Sequence, residues 1–243
     1  MGSSYFYLEF LLAYITLLSR AGYNNPAILA LEYTLVPDSS YPTQIQQSLA
    51  GYRYLLSQIP ASRIVVSGDS AGGTVILSML LHLATASKAS KTHQIPIQAQ
   101  TTQFPGMAAL ISPWIKLIGA EDRNTDSDYL DKDSLHLYAR QYAAKHSVSD
   151  PLISPGNCKD VDLWQKASPE NGYFIMFGKE EVFAPEIQKW IALIKGADLK
   201  VAMREERGGI HAWPVASLFL SSTIEERQKG LKDIVEHIRE RIV

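Results

Sequence analysis

Three side chains of this sequence have the types and order needed for nucleophilic chemistry: Ser70, Glu181 and His211. Gly68-Asp69-Ser70-Ala71-Gly72 fits the pattern Gly-x-Ser-x-Gly. It follows the apolar run Ile64-Val65-Val66 and precedes residues 71–85, which read as a helix apolar nearly all round. A strand, a one-residue corner and a buried helix form a nucleophile elbow, which lifts a serine at the C-terminal edge of a sheet. Glycines on either side let strand and helix approach and leave room for a carbonyl beside the hydroxyl. The start of the helix adds unpaired N–H groups and a partial positive charge where an oxyanion would develop.

A serine hydroxyl is a weak nucleophile until a histidine takes its proton, and the histidine needs a carboxylate to fix its tautomer. In elbow folds the order along the chain is serine, acid, histidine. Of six histidines, His82 lies in the helix after the serine, His93 in a loop, His136 and His146 in or beside a polar excursion, and His237 in the last helix. His211 stands apart, because it follows a strand and the pair Gly208-Gly209 and so belongs at the edge that carries Ser70. For the acid, the loop after the strand at residues 173–177 offers Glu180 and Glu181 behind Gly178. Placement and order favour Glu181, with Glu180 as the fallback; Asp150 belongs to the excursion rather than to a strand end.

The elements that must position these groups are legible as alternating apolar runs. Residues 5–18 read as a buried amphipathic helix ending near Gly22, too short to span a membrane and without the basic start of a signal peptide. A strand is expected over residues 27–33 and a helix over 43–58, whose Ile45, Leu49, Tyr52 and Leu56 fall near helical spacing. After the elbow come a polar surface loop at 87–103 and a strand at 107–111. The excursion at 117–166 contains a helix near 132–144 and proline-rich loops. Alternation resumes with a strand at 173–177, a helix at 185–195, a strand at 199–204 and a last helix at 222–241. Five short strands separated by helices predict a mostly parallel α/β sheet with helices on both faces.

The whole chain has 243 residues, a net charge of -2 and 46% hydrophobic residues, enough for one domain with a sizeable core. Lysines and arginines are scattered without a basic stripe, so nucleic acid is not an expected partner. The single cysteine, Cys158, excludes an internal disulfide framework and a thiolate metal cluster.

The ordered motifs resemble those of the hormone-sensitive-lipase-like family of α/β-hydrolases, and the resemblance covers nearly the whole chain. GDSAGG starts at Gly68, LEYTLVPDSSYP at Leu31, ISPW at Ile111, DPLISP at Asp150, GKEEVF at Gly178 and GGIHAWP at Gly208. Within that family's patterns the acid falls on Glu181 and the base on His211. The resemblance implies an α/β-hydrolase fold with residues 117–166 as a cap-like insertion. It also implies hydrolysis of a small or medium-sized organic ester through an acyl-enzyme, without metal or organic cofactor and, by expectation, in the cytoplasm.

Thr34, Val36, Asp38 and Lys116 depart from family-typical residues at places that touch packing and salt bridges. The larger departure is upstream. Family members carry a His-Gly-Gly-Gly loop that forms most of the oxyanion hole, whereas this sequence opens Met1-Gly2-Ser3-Ser4-Tyr5. The expectation is therefore a chain lacking the N-terminal edge strands, with the Ala71 N–H as its remaining oxyanion donor. The alternative is a catalytically impaired hydrolase-fold protein, a truncated form or a module that binds a small ligand.

Overall fold

The computed structural model describes residues 5–86 and 103–242. Four strands, β1 (Val65–Asp69), β2 (Met107–Ile111), β3 (Tyr173–Gly178) and β4 (Val201–Glu206), lie side by side in chain order. All are parallel, with Val65 beside Met107, Ala108 beside Tyr173 and Tyr173 beside Val201. Parallel neighbours need long crossovers. Here those crossovers carry α3 (Ala71–Ala86), then α4 (Lys132–Ala143) and α5 (Val161–Ala167), then α6 (Ala184–Gly196). Helices α1 (Leu8–Arg20) and α2 (Thr43–Gln58) precede the sheet, and α7 (Trp213–Leu220) and α8 (Ile224–Arg239) follow it.

Strand periodicity sends neighbouring side chains to opposite faces, and both faces are buried. Ala108, Leu110, Tyr173, Ile175 and Phe177 join one core with Ile45 and Leu49 of α2, Leu77 and Leu80 of α3, Trp164 of α5 and Trp190 of α6. Met107, Ala109, Ile111, Phe174 and Met176 join the other with Phe10 and Tyr14 of α1, Trp213 of α7 and Leu231 and Ile234 of α8. The excursion contributes Leu135, Ala139 and Ala143 of α4 to the first core as well. No helix among the described residues is long and apolar enough to cross a membrane.

Local sequence explains the helix ends. Asp131 accepts from Ser134 N–H at 2.8 Å and Asp160 from Leu163 N–H at 2.9 Å, capping α4 and α5. Thr223 accepts from Glu226 N–H at 3.2 Å and so starts α8 at Ile224.

The strand expected over 27–33 is absent: that stretch is not in a strand, and β1 has β2 as its one partner among the described residues. An apolar run becomes a strand only when a neighbour completes its hydrogen-bond ladder. Among the described residues the sheet therefore has four strands rather than five. Helices α5 and α7 were not expected. Pro214 masked α7, although it sits in the first turn, where its missing N–H costs nothing. The loop expected at 87–103 falls, except for its last residue, outside the described residues.

Candidate active site

Ser70 is the corner between β1 and α3, with φ at 51° in the left-handed region that non-glycine residues rarely occupy. Its backbone is fixed from both sides. Ser70 N–H donates to Ile111 O at 3.0 Å, and Ser70 O accepts from Gly73 and Trp114 N–H, each at 3.0 Å. A Cβ on Gly68 would stand 2.7 Å from the Gly72 carbonyl carbon, so the turn closes only with a bare residue there. Ala71 begins α3, where the first N–H groups have no intrahelical acceptor. Beside the corner, Asp69 accepts a hydrogen bond from the Tyr7 hydroxyl at 2.7 Å. Burial pushes the Asp69 carboxyl above the usual carboxylate range, against the lowering effect of that bond.

Glu181 and His211 come from the loops after β3 and β4 and are both buried. Glu181 Oε1 and His211 Nδ1 face each other at 4.0 Å, and neither atom has a hydrogen-bond partner. The other carboxylate oxygen, Oε2, accepts from Ser112 Oγ at 2.6 Å and from Gly178 N–H at 2.9 Å. Ser112 Oγ in turn accepts from Ala212 N–H at 2.9 Å, so one hydroxyl links the acid to the residue after the base. Trp114 stacks on Phe183 with ring centroids 5.6 Å apart, and Phe183 meets the His211 ring edge-on at 5.2 Å. Two buried ionisable groups with so few partners resist charge. Burial raises Glu181 to about 8, with the Asp128 charge adding to the rise, and lowers His211 to about 3.

The structure thus brings Glu181, His211 and Ser70 to one sheet edge, through Ile111 and Ser112 at the end of β2. No hydrogen bond joins Ser70 Oγ to His211 among the described residues. Glu180 instead gives its N–H to Gly209 O at 3.0 Å, and Asp150 accepts from Leu152 N–H at 2.9 Å within its own turn. The remaining described histidines are engaged elsewhere. His82 meets Tyr41 Oη and Ser78 O, His136 meets Asp122, His146 packs on Tyr41 and His237 stacks on Phe174. No group of metal-ligating side chains forms a metal site among the described residues.

Sequence reasoning missed Ser112, Asp128 and Tyr129. Asp128 bonds to the backbone of both the acid and the base loops, and Tyr129 lies with its ring 6.0 Å from that of His211. Ser112 was visible only as part of the ISPW motif.

A family model described as steryl acetyl hydrolase matches residues 4–236. The mug81 protein of Schizosaccharomyces pombe, provisionally named a steryl acetyl hydrolase, is 32% identical over 76% of this chain and 49% of its own. An acetyl-hydrolase of Streptomyces hygroscopicus is 33% identical over 77% of this chain and 57% of its own. The chain therefore spans about half the length of these curated relatives. Among solved structures, the esterase EstE5 soaked with p-nitrophenyl butyrate superposes with a TM-score of 0.74 at 24% identity, over 94% of this chain and 69% of that one. An esterase from the bacterial hormone-sensitive lipase family gives 0.74 at 22% identity, over 95% and 70%. These structural likenesses establish the α/β-hydrolase fold.

Proposed function

The chain belongs to the steryl acetyl hydrolase family, and from that premise we propose that it is a serine carboxylic-ester hydrolase that removes acetyl groups from esters of an apolar alcohol of sterol type. The observation that carries this reading is the buried Glu181–His211 pair, whose facing atoms have no other partner, at the edge where Ser70 sits in its strained corner. In this reading the domain uses residues 117–166 as a cap over the site.

Ser70 Oγ attacks the acetyl carbonyl while His211 takes its proton through Nε2. The oxyanion forms beside the start of α3, where the Ala71 N–H donates. Collapse breaks the bond to the alcohol oxygen, which leaves with the proton from His211, and the acetyl group stays on Ser70. A water, deprotonated by His211, then attacks the acyl carbon; collapse breaks its bond to Ser70 Oγ, which takes the proton back from His211 as acetate leaves. Glu181 Oε1 orients Nδ1 and steadies the imidazolium, while Ser112 and Gly178 occupy Oε2 and keep the carboxylate aimed. The 4.0 Å separation of Glu181 and His211 has to shorten by about 1 Å to become a hydrogen bond, as catalytic contacts often do when substrate binds.

The test is release of acetate from a steryl acetate and from an activated aryl acetate by the purified chain, beside Ser70→Ala. Loss of about a thousandfold or more in kcat is expected for Ser70→Ala. Equal release by both proteins overturns the reading.

A further inference from the structure

The segment after β2 reaches back over the site and ties the acid and base loops together through one side chain. Asp128 Oδ2 accepts from Val182 N–H at 2.9 Å, next to the acid. Its Oδ1 accepts from His211 N–H at 3.1 Å, the amide of the base itself, and from Tyr129 N–H at 2.9 Å. Neighbouring residues reinforce the strap. Thr125 Oγ donates to Glu180 O at 2.6 Å and accepts from Asp128 N–H at 3.1 Å. The Tyr129 hydroxyl donates to His211 O at 3.4 Å. Without the strap, the direct bonds between the two loops are those from Lys179 N–H to Glu206 O at 2.9 Å and from Glu180 N–H to Gly209 O at 3.0 Å. Both lie before the acid in sequence, so beside the strap it is the indirect link through Ser112 Oγ, between Glu181 Oε2 and the Ala212 amide, that bears on the Glu181-to-His211 spacing.

We propose that Asp128 is a positioning residue: by accepting from the amides of Val182 and His211 at once, its carboxylate sets the separation of Glu181 from the His211 ring. The proposal rests on the hydrolase reading above. A carboxylate suits the task because it offers two acceptor oxygens and no donor. Asparagine has one acceptor and would turn an NH2 group toward one of the amides. A residue that served only its local turn would need just the contact to Tyr129 N–H, which asparagine can keep.

The test compares Asp128→Asn and Asp128→Ala in the wild-type background and in His211→Ala, with hydrolysis of an activated acetyl ester and amide hydrogen exchange as readouts. Thermal unfolding confirms that each variant is folded. The expected result is a fall in kcat of about 10- to 100-fold with KM little changed, since a misplacement of about 1 Å at a reacting centre costs that much. Exchange at the Val182 and His211 amides should accelerate. The kcat loss should disappear in the His211→Ala background, because a positioning residue has nothing left to position. Unchanged exchange at both amides, unchanged kcat in an enzyme that depends on Ser70, or an equal proportional loss in His211→Ala each overturns the positioning role alone. Equal hydrolysis by wild type and Ser70→Ala overturns the hydrolase reading and the positioning role with it.

Discussion

Ser112 receives and gives at the same hydroxyl, holding Glu181 Oε2 and the Ala212 amide. Ser112→Ala would strand both buried groups, so it should lower stability by about 1–3 kcal/mol in denaturant titration and reduce kcat more than it raises KM. The acid itself carries a pH expectation. Because burial holds Glu181 near 8 and His211 near 3, the imidazole stays neutral through the working range and the carboxylate becomes anionic only on the alkaline side. The kcat/KM profile should therefore rise through about pH 8 rather than through the ordinary histidine value. A rise centred near 6.5 would contradict it. Chain order and strand placement were enough to direct attention to Ser70, Glu181 and His211. Ser112 and Asp128 were not legible, because their partners lie far away in sequence: Ser112 is 69 positions from Glu181 and 100 from Ala212, and Asp128 is 54 from Val182 and 83 from His211. No local pattern marks a residue for contacts of that range.

At the scale of elements, periodicity located most strands and helices. It failed at residues 27–33, where the apolar pattern is real but the ladder partner is a property of the assembled sheet. It also ran α8 two residues too far at its start, because the cap at Thr223 is a hydrogen bond rather than a hydropathy signal. Thr223→Ala should cost about 1 kcal/mol in thermal or urea unfolding, the usual worth of such a cap. Gly178 marks where β3 passes into the acid loop. A Cβ there would collide with the Gly209 and Ile210 carbonyl oxygens of the base loop. Gly178→Ala should therefore push the acid and base loops apart, costing about 1–3 kcal/mol of stability and lowering kcat together. Wild-type kcat in this variant would mean that the loops tolerate separation.

For the molecule as a whole, the sheet divides two cores, and the site lies where the strands of both end. Its buried pair links stability to pH. Glu181, raised in the fold, contributes stability below its ordinary value of 4.5 that is lost as pH rises through about 8. His211, lowered in the fold, contributes stability above 6.5 that is lost as pH falls through about 3. The slopes oppose each other between 4.5 and 6.5. The contribution of this pair should be flat there, declining on both sides. Urea midpoints for Glu181→Gln should lose the decline above pH 6.5 and keep the acid one.

All four tryptophans are buried, and they are spread across both cores. Trp114 lies against the Phe183 ring beside the base, and Trp213 begins the helix that follows His211. The native protein should therefore emit at short wavelength, with no exposed indole to blur the signal. Local loosening of the base loop should shift the emission of Trp114 and Trp213 toward the red, while Trp164 of α5 and Trp190 of α6, packed against each other, shift only when the sheet itself comes apart. Intrinsic fluorescence can thus distinguish opening of the site from loss of the fold, without any added label.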